Sequence, residues 1–469
     1  FKITNNENSS LLQKIESLYT YIIFSLIIYV LAYNLFHYDP IQGYDGEAHH
    51  AYVQNFLNIF VPGKTNQPAA NFTYEFFSPP LPYVLPAFIN EICKYSISSL
   101  NKLETCQDIY GFINILFLSF LFLITLVVYM KIIKIIFNKD TSFSLTILLT
   151  IGIFSTNYKA ISMIRGEMYI LFLNAFLIYR FLLLVKKSFN YQKQDIFIFG
   201  VTIGLLALSR QWAFLLFPSY FIFYFFVEKI YKEKYIKFMT FSFFIGFLIS
   251  GWFYIGLFIE YGSFTTFNQD PTKFSFSNQP LDFYIPFFNE SSMVFTKPIR
   301  PYFKNQFLPI LYSDLWGDYW GYFSFTSRSL LTGRNQANIG DYLARVNIIS
   351  LIPTFFLLYG FKQSFKSIKK LDRNNLDSLN IYLVFAILVS FFGYMWFLIS
   401  FPNPSGDTNK ATYIIHLFHL LGLCSALFIE KIKTTNTKVG FSILSILFIV
   451  FIHNLSAMMS HFPIISFFN

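Results

Sequence analysis

The chain of 469 residues is apolar and aromatic: 55% of its residues are hydrophobic, only 13% are charged, and 64 are Phe. Soluble domains carry about a quarter charged residues, so this balance excludes a soluble globular protein and indicates a polytopic membrane protein. The net charge of +10 comes from lysines in short clusters between apolar runs, a pattern typical of membrane topology and not of nucleic-acid binding.

Apolar runs of about 17 to 25 residues, the length that spans a bilayer, predict about eleven transmembrane helices. The predicted fold class is therefore all-α, with one transmembrane domain over residues 1–469. The first run follows a polar N-terminus and lacks a small-residue cleavage site, so it is interpreted as a retained helix. The predicted spans are 18–36, 109–130, 141–157, 166–185, 194–209, 212–227, 238–259, 344–361, 378–400, 411–429 and 439–458.

Clusters of basic residues occur in every second connection between these spans, which predicts that those connections are cytoplasmic. The N-terminus is then inside, the C-terminus is outside, and every candidate site residue lies on the outer face. Cys93 and Cys106 share one outer loop, where their spacing leaves a disulfide open. The basic clusters fall in 131–139, 186–193, 229–237, 362–373 and 431–438.

Two outer segments, 37–108 and 260–343, are too long to be simple connections, and loops of this length are usually functional or carry structure of their own. In the first segment, residues 52–60 have apolar side chains at helical spacing and predict an amphipathic interfacial helix. Residues 81–92 predict a surface or re-entrant helix, because prolines interrupt the apolar run.

The second outer segment has aromatic residues around Asp314 and Asp318, including Trp316 and Trp320. Trp and Tyr often mark the headgroup level, so an interfacial belt accounts for most of this cluster. The two carboxylates remain candidates for the wall of a substrate cavity.

The most chemically dense stretch of the chain is 43–50, which holds Asp45, Glu47, His49 and His50. Ionisable groups at a membrane boundary are costly unless they face water, a partner or a substrate. One of the two carboxylates is a candidate general base. The alternatives are a helix cap at Asp45 and an ordinary acid in the first helical turn at Glu47.

A divalent cation bound by His49 or His50 together with Asp45 or Glu75 is left open, since imidazole and carboxylate suit several such ions. Adjacent histidines point apart on a helix, which argues against both binding one ion. No cofactor is otherwise indicated, and the sequence has no CxxC or HExxH motif.

Basic residues are also predicted on the outer face, at Arg165, Arg210 and Lys410. A salt bridge or a snorkelling side chain is the alternative to ligand binding for the two arginines. Lys410 lies opposite the cytoplasmic clusters and needs another partner, for which an anionic lipid headgroup or a phosphate is suitable. The prolines at Pro79 and Pro80 predict a rigid corner that shapes a cavity.

Three of these features together resemble the GT-C superfamily of membrane glycosyltransferases, in the branch of protein O-mannosyltransferases and lipid A aminoarabinose transferases. They are the outer acid Asp45 after the first helix, with Glu47 nearby; the segment 78–83, similar to the PPLYY-like stretch of that family; and Lys410-Ala-Thr-Tyr413 before an apolar helix. The family often has an adjacent Asp-Glu pair, whereas Gly46 separates the two acids here.

The resemblance implies a polyprenyl-phosphate sugar as donor and a lipid, glycan or protein as acceptor, with transfer by inversion. By this likeness Asp45 activates the acceptor, while Lys410, with Arg165 or Arg210, holds the donor phosphate. His49, His50, Glu75, Pro79, Pro80, Tyr83, Asp314, Asp318 and Tyr413 are the candidate cavity residues.

The predicted location is the plasma (inner) membrane or the endoplasmic reticulum, with the active site on the outer or lumenal side. The alternative function is a secondary transporter or lipid flippase, which predicts broken helices with ionisable groups near the midplane. A non-catalytic membrane scaffold is the third alternative, in which Asp45 is free to vary.

Overall fold

A computed structural model describes residues 3–39, 43, 45–59, 61, 75–96, 102–138, 144–267, 270–286, 292–324, 334–370 and 374–461. Within these ranges the chain is helical and contains no β-strand, which confirms the all-α prediction. The α-helices are α1 Ile3–His37, α2 Gly46–Gln54, α3 Phe56–Ile59, α4 Leu81–Ser96, α5 Lys102–Phe137, α6 Leu145–Thr150, α7 Ser155–Ile161, α8 Glu167–Lys186, α9 Lys193–Ala207, α10 Phe217–Phe223, α11 Lys232–Tyr261, α12 Leu281–Tyr284, α13 Phe307–Trp316, α14 Arg334–Ile349, α15 Leu351–Phe365, α16 Asn375–Ser400, α17 Ile415–Thr435 and α18 Thr437–His453.

Seven helical segments in the described residues are long and apolar enough to cross a membrane, as expected of an integral membrane protein. Each overlaps one predicted span. They are Leu11–His37, Glu104–Phe137, Glu167–Lys186, Lys229–Tyr261, Asn338–Lys369, Asn375–Ser400 and Ala411–Thr435.

The remaining predicted spans, 141–157, 194–209, 212–227 and 439–458, are helical but short or broken. The start of the first of these, 141–143, lies outside the described residues, as do Lys139, Arg373 and the loop residues 62–74 and 325–333. The structure therefore supports fewer full-length crossings than the sequence predicts.

The predicted span 141–157 is interrupted between α6 and α7. Side chains from α7 form hydrogen bonds with the backbone carbonyls that the interruption leaves free. Asn157 donates a hydrogen bond to the carbonyl of Ile151 at 2.8 Å, and the Tyr158 hydroxyl donates to the carbonyl of Gly152 at 2.8 Å. Broken helices are tolerated at membrane depth when the freed backbone groups find such partners.

Helices α9 and α11 run parallel and pack closely through small residues. Gly200 lies against Ser242 and Ile245, and one turn later Gly204 lies against Gly246 and Ile249. Small residues four apart allow helix backbones to approach closely in membranes. A Cβ added at Gly204 would lie 2.7 Å from the Cβ of Ile249, so this position has no room for a side chain.

Gly204→Ala is expected to destabilise the protein by about 1–3 kcal/mol, because overpacking at this contact outweighs the better helix propensity of alanine. Gly340→Ala is the matched control, because a Cβ at Gly340 in α14 meets nothing nearer than 3.9 Å. Thermal unfolding in detergent measures both variants. Equal stability of the two would contradict the close packing of α9 and α11.

The first outer segment is built on α4 and α5, which are joined by the disulfide Cys93–Cys106. This settles the pairing that the sequence left open. Helix α4 includes the run 81–92 predicted as a surface helix, and Pro82, Pro86 and Ala87 lie on its buried face. The predicted helix at 52–60 instead begins at Gly46 as α2 and is interrupted at Asn55 before α3.

The aromatic cluster of the second outer segment is buried inside the protein. Trp316, Tyr319, Trp320 and Phe323 are each at most 2% exposed. Trp316 donates to the hydroxyl of Thr354, and Trp320 donates to the carbonyl of Asn409. The interfacial-belt interpretation is therefore wrong for these residues, which form a core under the candidate site.

Candidate active site around Asp45

Asp45 immediately precedes α2 and has a left-handed backbone conformation, with φ 55° and ψ 27°. Asp and Asn are among the few residues with side chains that adopt this conformation readily. Asp45 occupies the N-cap position of α2, but its carboxylate makes no capping hydrogen bond there, so capping the helix is not the role of its side chain. The side chain is 49% exposed and lines a cavity instead.

Two cations lie beside the Asp45 carboxylate. The Nζ atom of Lys410 is 3.5 Å from Oδ2, and the Nη2 atom of Arg165 is 3.6 Å from the same oxygen. Both basic side chains are at most 9% exposed. Lys410 above all, followed by Arg165 and Arg210, holds the pKa of the Asp45 carboxyl below its ordinary value, against the effect of burial.

Glu167, the first residue of α8, is fully buried between two arginines. Its Oε1 atom is 3.7 Å from Nη1 of Arg165 and 3.4 Å from Nε of Arg210. Burial acts to lower the pKa of Arg210, but Glu167 and then Glu75 outweigh it and raise that pKa. The sequence left salt bridges, snorkelling and ligand binding open for the arginines and did not assign Glu167 to the site.

The three basic side chains of the site lie around the aromatic ring of Tyr413. The ring centroid is 5.3 Å from Nζ of Lys410, 5.7 Å from Cζ of Arg210 and 5.8 Å from Cζ of Arg165. Such cation–π contacts stabilise a positive charge by about 0.5–2 kcal/mol. Lys410 also donates to the Tyr413 hydroxyl at 3.3 Å, since the 3₁₀-helix Ala411–Ile414 places residues three apart on one side.

The ion pairs form a row of charged side chains that continues beyond Arg210 to Glu75 and His49. The Nη1 atom of Arg210 is 3.8 Å from Oε2 of Glu75, and Nε2 of His49 is 3.8 Å from Oε1. The His49 Nδ1 atom is 2.7 Å from the Tyr83 hydroxyl. Burial, followed by Arg165 and Arg210, lowers the pKa of His49 well below its ordinary value, which favours a neutral imidazole.

No group of three or more His, Cys, Asp or Glu side chains with metal-binding geometry occurs among the described residues. His49 approaches Glu75 as the metal hypothesis required. His50 points the other way and contacts the Tyr110 hydroxyl at 2.7 Å, as expected for adjacent helical histidines. The described residues therefore provide a His49–Glu75 pair without a full ligand set.

The cavity beside Asp45 has a charged wall and an aromatic wall. Including its open mouth, it holds about 630 Å³. Asp45, Glu75 and Arg210 contribute charge, and Pro79 lies at its edge. The aromatic wall consists of Phe77, Trp212, Phe267, Phe397, Phe401 and Tyr413.

Asp314 and Asp318 lie below the cavity and support it. Asp314 accepts hydrogen bonds from Lys159 and from the backbone N–H of Ala411, each at 2.7 Å. Asp318 accepts from the backbone N–H and the hydroxyl of Ser324, while burial raises its pKa. Asp314 therefore fixes the residue that follows Lys410, and neither acid lines the cavity.

Three further predicted site residues, Glu47, Pro80 and Tyr83, lie in or next to α2 and α4. Glu47 is exposed in the first turn of α2 and does not line the cavity. Pro80 is buried at the start of α4, where its carbonyl accepts from the N–H of Tyr83. The geometry therefore separates the two acids of the stretch and brings only Asp45 to the cations.

Comparison with protein families, with curated proteins and with solved structures gives no match for this chain.

Proposed function

We propose that this protein is a membrane glycosyltransferase of the GT-C type. It moves a sugar from a polyprenyl-phosphate donor to a hydroxyl of a lipid, glycan or protein acceptor, with inversion. The observation that carries the proposal is Asp45, a carboxylate open to a cavity and held beside two buried cations. This is the pairing that the reaction requires: a base for the acceptor and fixed positive charge for the leaving phosphate.

The lengths of the ion pairs support a site prepared for an anion. The contacts among Asp45, Lys410, Arg165, Glu167 and Arg210 measure 3.4–3.7 Å. Direct charge-assisted hydrogen bonds between N⁺–H and O⁻ are shorter, at about 2.7–2.9 Å. A phosphate entering the cavity can therefore form shorter contacts with these cations than the carboxylates do.

The chemistry follows from this arrangement. The acceptor hydroxyl attacks the anomeric carbon and gives its proton to Asp45. The bond from that carbon to the phosphate oxygen breaks, and its electron pair leaves with the polyprenyl phosphate. Lys410 and the arginines stabilise the charge that develops on the phosphate. Attack opposite the leaving group inverts the anomeric carbon and leaves no sugar on the enzyme.

The aromatic wall suits the apolar part of the donor. Trp212 lies 4.7 Å from Phe397 and 5.5 Å from Tyr413 between ring centroids, so the wall is continuous. Ligand cavities typically combine such apolar linings with a few placed polar groups. An isoprenoid chain and the apolar face of a sugar both fit this surface chemically.

For topology, we propose that the four shorter apolar segments also cross or enter the membrane, giving about eleven crossings. The parallel packing of α9 and α11 agrees with this topology. Two consecutive parallel helices need a segment that crosses back between them in the chain, and α10 is that segment. The basic clusters predict that the Asp45 end faces outward in a plasma (inner) membrane or faces the lumen of the endoplasmic reticulum. The Cys93–Cys106 disulfide suits such an oxidising compartment.

The test is turnover of lipid-linked sugars by the purified protein in liposomes. A panel of polyprenyl-phosphate sugars is offered with simple acceptors, and release of polyprenyl phosphate is measured. We expect release from at least one donor. Absence of release from every donor, together with movement of a labelled lipid across the bilayer, would favour the transporter or flippase alternative.

Lys410→Ala is expected to weaken donor affinity roughly tenfold to a hundredfold and to change acceptor affinity little. The reason is that a charge-assisted hydrogen bond to phosphate contributes about 1.5–3 kcal/mol. Lys304→Ala is the control, since this exposed lysine of the second outer segment does not line the cavity. Equal losses for donor and acceptor would show that Lys410→Ala only disturbs the start of α17.

A further inference from the structure

A second cavity lies at the opposite end of the helices that carry the candidate site. It opens between α15, α16 and α17 and holds about 910 Å³ including its mouth. Helix α16 has 26 residues, which corresponds to about 39 Å at 1.5 Å per residue. Its far end, near Phe397 and Phe401, lines the Asp45 cavity.

The cavity begins where α15 and α17 come into close contact. A Cβ added at Gly360 would lie 2.6 Å from the Cα of Ser425, so the two backbones nearly touch there. Gly360 and the neighbouring Cys424 line the floor of the cavity. The space beyond this contact is therefore a cleft between closely packed helices.

Buried polar groups cover one side of the cleft. Ser364 donates to Asn380 at 3.0 Å, and Ser367 donates to Asp377 at 3.0 Å. Lys370 pairs with Asp377 at 2.7 Å, so the one carboxylate that lines the cleft in the described part of the chain has a cation of its own. Two further lysines remain to make the cleft positive.

Lys366 and Lys431 are those two lysines, and both line the cavity. Among the described residues neither has a carboxylate within ion-pair distance. Leu427 and Phe428 line the same cleft, and the nearby Phe365 side chain is 43% exposed. The cleft thus joins positive charge, hydrogen-bonding groups and apolar surface at one end of a membrane bundle.

We propose that this cleft binds the headgroup of an anionic glycerophospholipid, with its phosphate between Lys366 and Lys431. The acyl chains then lie against the apolar helix surfaces, which a soluble anion would leave uncovered. Basic pockets between transmembrane helices bind anionic headgroups through positive charge at the phosphate and apolar surface for the acyl chains. The site is separate from the Asp45 cavity and does not depend on the proposed transfer reaction.

The test is lipid binding to the purified protein, measured by native mass spectrometry during titration with phosphatidylglycerol. Lys366→Gln/Lys431→Gln is expected to weaken binding about tenfold or more. The control is Lys229→Gln/Lys438→Gln, which removes two exposed lysines from the same end of the bundle outside the cleft. We expect the control to bind like the unmutated protein and phosphatidylcholine to bind poorly to all three.

Two outcomes would overturn the proposal. One is equal binding by the cleft variant and the control, which would show only general attraction to the basic face. The other is displacement of phosphatidylglycerol by glycerol phosphate at similar concentration, which would indicate a soluble anion. If thermal unfolding shows that the double variant is misfolded, Lys431→Gln alone is measured, and a loss of at least about threefold is expected.

Discussion

Asp45→Asn is expected to reduce sugar transfer by about a hundredfold or more while the protein still folds and binds donor. Asparagine keeps the size of the side chain and tolerates the left-handed backbone at φ 55°, so the start of α2 is preserved. The substitution removes the proton acceptor and the charge next to Lys410 and Arg165. Donor affinity is therefore expected to stay the same or increase, because the phosphate no longer competes with a carboxylate.

Release of polyprenyl phosphate measures the rate, and binding of a labelled donor is measured separately. Glu47→Gln is the matched control, because it makes the same chemical change two residues away, at an exposed acid outside the cavity. We expect this control to retain activity within about twofold, as surface changes outside a site have small effects. Loss of activity in Glu47→Gln with full activity in Asp45→Asn would assign the base to Glu47 and contradict the proposal.

Helices were the most predictable part of the fold, because continuous apolar runs report directly on membrane spans. Asn157 at the end of the run 141–157 and Tyr158 just after it donate hydrogen bonds to backbone carbonyls, and the sequence did not reveal this break between α6 and α7. Short helices with an apolar run, such as α9 with its 15 residues, are also ambiguous, since length alone does not separate a tilted span from a shorter packed helix.

The candidate site was partly predictable because ionisable groups at a membrane boundary are costly unless they face water, a partner or a substrate. That argument found Asp45, Glu75, Arg165, Arg210 and Lys410, which the structure brings into one row. It did not separate charges at the cavity from charges beneath it. Distant parts of the chain meet here, and sequence spacing carries no information on such contacts.

Asp314 and Glu167 show why tertiary contacts decide these roles. Asp314 had the appearance of a cavity acid beside aromatic residues, but Lys159 and the Ala411 amide engage it. Glu167 was not among the predicted site residues, yet it lies fully buried between two arginines. One local signal was available for Glu167: Arg165 stands two residues before it at the same helix start.

Glu167→Gln is expected to lower the free energy of unfolding by about 3–5 kcal/mol, because two buried guanidinium groups lose the carboxylate they share. Glu91→Gln is the control, since its pair with Lys94 lies at the surface with side chains 37% and 30% exposed. Such a surface pair contributes less than about 1 kcal/mol. Thermal unfolding in detergent compares the two variants, and equal shifts would contradict the central role of Glu167.

Addition of polyprenyl phosphate tests whether Arg165 and Arg210 bind the donor phosphate or have a purely structural role. The phosphate supplies negative charge near Arg165 and Arg210, so it should raise the melting temperature of Glu167→Gln more than that of the unmutated protein. Ligands that bind only the folded state stabilise it in proportion to the logarithm of their concentration over Kd. A neutral polyprenol of the same length is the control and should raise both melting temperatures equally. If the phosphate also stabilises both proteins equally, the arginines are structural and the donor phosphate must bind elsewhere.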